Sequence, residues 1–109
     1  MWQRGIVLVE GVYVVTDEFP DQEQYELTPQ LRRAAVAIPS NIAEGWGYSS
    51  RDEYVYYLEQ ARSSLLEVET QIIIAERLSY MTEEMRNELL QKTTTESKML
   101  LSLMRSLQS

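Results

Sequence analysis

Residues 50–79, "SRDEYVYYLEQARSSLLEVETQIIIAERLS", decide the fold. Tyr54, Leu58, Ala61, Leu65, Val68, Ile72 and Ala75 recur at alternating spacings of four and three, which places them along one side of an α-helix. Ser50, with Glu53 three positions on, forms a capping box at its start. The pattern predicts a helix to Ser79, roughly 45 Å long at about 1.5 Å per residue. Val55, Leu66 and Ile73 make a further apolar line beside that seam, more than one bundle contact requires. Together with Tyr56 they are expected to face another subunit.

Upstream, Thr28 and Pro29 suit a helix start, the threonine as N-cap and the proline in the first turn, where its missing N–H costs nothing. Leu31, Ala34, Ala35, Ile38 and Ile42 supply the apolar stripe, and Pro39 inside it predicts a kink or break near Ile38. Gly45 and Gly47 fit the end of this helix. Residues 17–29, "DEFPDQEQYELTP", hold acids, Pro20 and no sustained period, so they connect. The first segment is rich in valine and isoleucine, and two short strands about Glu10 and Gly11 remain open beside a helix. Helical spacing there takes two stripes: Trp2, Ile6, Val9, Tyr13 and Thr16, and Leu8, Val12, Val15 and Phe19.

Downstream, Thr82 can cap a last helix with Glu83 and Glu84 in its first turn. Met85, Leu89, Leu100, Leu103 and Leu107 keep its period, and the polar run "QKTTTES" (91–97) predicts a looser, exposed turn. Four helices with short connections make an all-α fold, an antiparallel up-down four-helix bundle with a kinked second helix, in a single domain over residues 1–109.

Hydrophobic residues are 44% of the 109 and charged residues 25%, so a folded globular chain is expected, with a core modest enough that partner subunits would help. The chain has no cysteine and no histidine, which removes thiolate and imidazole metal sites, the usual nucleophilic triads and the Glu-x-x-His pairs of di-iron bundles. No phosphate-binding glycine loop occurs either. The expectation is therefore a protein that is not an enzyme, with no cofactor and no metal. Glu10 interrupts the apolar start, no segment approaches the roughly 20 apolar residues of a membrane span, and a soluble cytoplasmic protein is expected.

Formal net charge is −7, which argues against a surface that is basic throughout. Arg32, Arg33 and Arg51 nevertheless form a positive island beside an acidic connection, and Arg32 and Arg51 are the candidate phosphate contacts. Tyr54, Tyr56 and Tyr57 could stack on bases, but Tyr54 lies on the seam and reads as core. Positions 33, 37, 41 and 44 fall near one line of the second helix, so Arg33, Asn41 and Glu44 can form a structural polar network with Glu67 across the bundle. Arg33 is expected to be buried there, paired with Glu44 or Glu67.

The run "FPDQEQYELTPQLRRAAVAIPSNIAEGWG" followed by "EYVYYLEQARSSLLEVETQI" resembles the four-helix-bundle family encoded in intervening sequences of bacterial 23S ribosomal RNA genes. The resemblance extends toward both ends, with Trp2 at the family's early tryptophan, and it implies a helix for the first segment. It also implies a homo-oligomeric ring, a pentamer in the typical case, without known catalysis. The accessory variability proteins of diversity-generating retroelements look like relatives, and they imply a protein partner such as a reverse transcriptase and a nucleic-acid role. Ser63 stands where the family usually has glycine, and the acidic balance contrasts with the basic surface of those relatives. Binding of nucleic acid by the isolated protein is therefore expected to be weak or absent.

Overall fold

The computed structural model describes residues 1–47 and 50–108. They form α1 (Trp2–Thr16), a short 3-10 turn (Asp21–Glu23), α2 (Leu27–Trp46), α3 (Arg51–Arg77) and α4 (Glu83–Gln108), with no strand among the described residues. Each helix packs on the next in chain order, and α4 returns to α1. The result is a four-helix bundle 44 Å long and 24 by 19 Å across.

The seam of α3 is the centre of the core. Leu58, Ala61, Leu65, Val68, Ile72 and Ala75 are all fully buried, and each large aliphatic side chain among them contributes about 1.5–3 kcal/mol. Ser50 Oγ accepts from the Glu53 N–H at 3.4 Å, as the capping box requires. The helix stops at Arg77, two residues earlier than the pattern suggests, because Ser79 turns left-handed with φ 65°. Ser79 and Tyr80 N–H then donate to the carbonyls of Glu76 and Ala75, at 2.9 and 2.8 Å, closing a Schellman ending.

α1 is helical and buries one of its two stripes, with only Thr16 and part of Val9 from the other. Leu8, Val12 and Val15 enter the core with Phe19 beyond the helix end, while Trp2, Ile6 and Tyr13 stay exposed. In α2 the Leu27 N–H donates to Glu23 Oε1 at 3.2 Å, so the acidic connection starts the helix and Thr28 does not cap it. Pro29 falls third in the helix, where the first N–H groups are unpaired in any case. Of the kink or break expected near Ile38, a break at Pro39 does not occur. α2 passes through it unbroken, with the ring buried where Gly5 of α1 leaves room; a Cβ on Gly5 would stand 3.2 Å from Pro39 Cβ.

Thr82 Oγ1 accepts from the Met85 N–H at 3.1 Å and starts α4. That helix also runs unbroken through residues 91–97, against the expectation of a loose turn. Thr93 and Glu96, the polar residues that suggested exposure, lie on its buried side in register with Leu89 and Leu100.

Candidate functional site

The polar network expected on α2 does not form. Arg33, Glu44 and Glu67 are exposed, and no ion pair joins Arg33 to either carboxylate among the described residues. Asn41 Nδ2 donates instead to the Ala37 carbonyl of its own helix at 2.8 Å, and Glu67 Oε1 accepts from Gln71 Nε2 at 3.3 Å. The reason is rotational. α2 buries Leu31, Ala34, Ala35, Ile38, Ile42 and Gly45, and Arg33 stands about 100° round from Ala34, on the side that no helix covers.

Of the adjacent pair Arg32 and Arg33, Arg32 has the structural place. Its Nε donates to Thr16 Oγ1 at 2.8 Å, its Nη2 to Asp17 Oδ1 at 2.9 Å, and its guanidinium lies 4.4 Å from the centre of the Tyr13 ring. It ties α2 to the end of α1. Arg51 opens α3 beyond the far end of α2, and the helix from Arg32 to Trp46 alone spans about 20 Å. The three arginines that are close in sequence therefore make no single positive patch.

The apolar line beside the α3 seam divides. Val55 is buried within the chain, while Leu66 (48% exposed), Ile73 and Tyr56 remain on the surface. Leu66 and Ile73 share a flank with Glu69, whose Oε2 receives the Thr93 hydroxyl of α4 at 2.7 Å, so they border the α3–α4 side of the bundle. A second strip lies on the α1–α2 side. Trp2, Ile6 and Tyr13 project from α1, and Tyr13 shares an open groove of about 610 Å³ with Val36 and Arg33. At the end of the bundle Met1, Trp2, Ile42, Ala43, Trp46 and Tyr54 line an almost wholly apolar hollow of about 410 Å³. Trp46, 77% exposed, meets Tyr54 edge-on with ring centres 6.1 Å apart. Gly45 permits this arrangement, since a Cβ there would fall 2.9 Å from both Tyr54 Cδ1 and Tyr57 Cβ.

One polar feature escaped the sequence reading. Glu96 is 1% exposed, its carboxyl set against Gly5 of α1, and neither of its oxygens has a hydrogen-bond partner among the described residues. Burial raises its pKa above the ordinary carboxylate value, and the positive charges of the Met1 amino group and Arg4 pull in the opposite direction. The spacing of Leu89, Thr93, Glu96 and Leu100 was the available signal, masked by the polarity of its two middle members.

No group of three or more His, Cys, Asp or Glu that could hold a metal gathers among the described residues. No helix described is long and apolar enough to cross a membrane. The family model described as 23S rRNA-intervening sequence protein matches residues 1–102. A crystal structure of a protein of unknown function from the S23 ribosomal protein family of Bacteroides thetaiotaomicron shares the fold, with a TM-score of 0.86 over 95% of this chain and 94% of that one, at 22% identity. No curated protein matches the chain.

Proposed function

The chain belongs to the 23S rRNA-intervening sequence protein family, and from that membership we propose that it is a non-catalytic, cytoplasmic, homo-oligomeric scaffold that docks a protein partner. The observation that carries this reading is the pair of apolar strips on opposite sides of the bundle, Trp2, Ile6 and Tyr13 beside α2, and Leu66 and Ile73 beside α4. Apolar residues aligned along one exposed flank favour this reading, since a contiguous apolar patch is a common interaction surface. Two unlike strips favour a head-to-tail contact, which closes into a ring when the rotation per subunit allows, and a pentamer is the ring proposed.

A head-to-tail contact has a specific signature. Trp2→Lys and Leu66→Lys each spoil one strip and leave the other intact, so each variant alone should be monomeric. Mixed together, they should form a dimer through their two intact strips and go no further. Light scattering on the mixture reads this directly, and a mixture that stays monomeric while wild type assembles would reject the head-to-tail arrangement.

Nucleic acid enters this reading only through the partner, for instance a reverse transcriptase. Arg32 is committed to Thr16 and Asp17, Arg51 lies at the other end of α2 from it, and the net charge is −7. Few cations per subunit are left for phosphates, so binding should be weak and steeply salt-dependent.

A further inference from the structure

We propose that Glu96 is a proton-operated latch on the α1–α4 seam, holding the first half of α1 in place when neutral and releasing it when ionised. Of the four neighbouring helix pairs, α1 and α4 are the least extensively packed. Gly5 brings no side chain to this seam, so the carboxyl comes straight against the α1 backbone, with Glu96 Oε2 3.0 Å from where a Gly5 Cβ would stand. Neither oxygen receives a hydrogen bond among the described residues, so an ionised carboxylate sealed in that position loses its water without a hydrogen bond in return.

The charges around it explain why the movement falls on α1. From α1 come the Met1 amino group and Arg4, both attractive and both on the segment that would move. On the other side of Gly5, α2 packs the uncharged ring of Pro39. From α3 comes Glu69, already receiving the Thr93 hydroxyl one turn away. On α4 itself Lys92 is paired with Glu88 and Lys98 is exposed. Water and Arg4 reach an ionised Glu96 only if the start of α1 swings outward.

The sign follows from linkage. Burial raises the pKa of Glu96 in the closed bundle, so the closed form binds the proton more tightly than the open one. The stabilisation is fully present below the ordinary carboxylate range and is lost as pH rises through the raised value. Between those two points the opening constant rises by up to about tenfold per pH unit, then levels off.

Hydrogen–deuterium exchange of the whole protein, followed by mass spectrometry between about pH 5 and pH 8, tests the latch without requiring assembly. Within wild type, the exchange of α1 amides relative to α3 amides cancels the intrinsic pH dependence, and this ratio should climb with pH. Glu96→Gln, and Glu96→Met should the amide disturb folding, should give a flat ratio. A flat ratio in wild type, or a rise shared equally by all four helices, would overturn the proposal.

Discussion

Arg32 and Arg33 stand side by side in the sequence, and their surroundings set their worth. Thr16, at 3% exposure, places its hydroxyl against Arg32 Nε, and Tyr13 lies beneath the guanidinium. Asp17 is largely exposed, so its ion pair with Arg32 adds at most about 1 kcal/mol. With the charged hydrogen bond to Thr16 included, Arg32→Ala should lower stability by about 1–2 kcal/mol. Arg33→Ala removes no such partner and should stay within about 0.5 kcal/mol of wild type. Urea unfolding midpoints of the two variants check this, and equal losses, or a larger loss for Arg33, would show the assignment to be reversed.

At the scale of the helices, the contact of α2 with α3 depends on Gly45. Alanine is the better helix former by about 1 kcal/mol, so on propensity alone Gly45→Ala should stabilise. The added Cβ meets Tyr54 and Tyr57 at 2.9 Å, and Tyr57 Cβ cannot move without its backbone. Overpacking of this kind costs about 1–3 kcal/mol and is the larger effect, so thermal unfolding should show a lower midpoint for Gly45→Ala. A raised midpoint would mean that the two helices have room to separate. The same scale shows what the sequence could reveal. α3 was legible because its apolar register runs uninterrupted from Leu58 to Ala75. The facing of α1 was not, because both of its stripes are apolar and only the placement of α2 and α4 selects Leu8, Val12 and Val15 over Trp2, Ile6 and Tyr13. Thr93 and Glu96 were hidden by their polarity, and the choice of Arg32 over Arg33 turns on a rotation of about 100° that no local pattern reports.

For the whole molecule, the charge distribution and the apolar strips point to the same behaviour. Arg32, Arg33 and Arg51 do not converge on one patch, and the net charge is −7, so fluorescence anisotropy in about 150 mM salt should find no tight binding of generic RNA or duplex DNA. Saturable submicromolar binding would move nucleic acid from the partner to this protein. The strips, by contrast, should be covered by copies of the same chain, because Trp2, Leu66 and Ile73 in water forfeit the stabilisation that burial brings. The solution mass of the unmodified protein tests this most directly. Light scattering at micromolar concentration should return a homo-oligomer with the mass of a pentamer. A single-subunit mass there would contradict the scaffold reading.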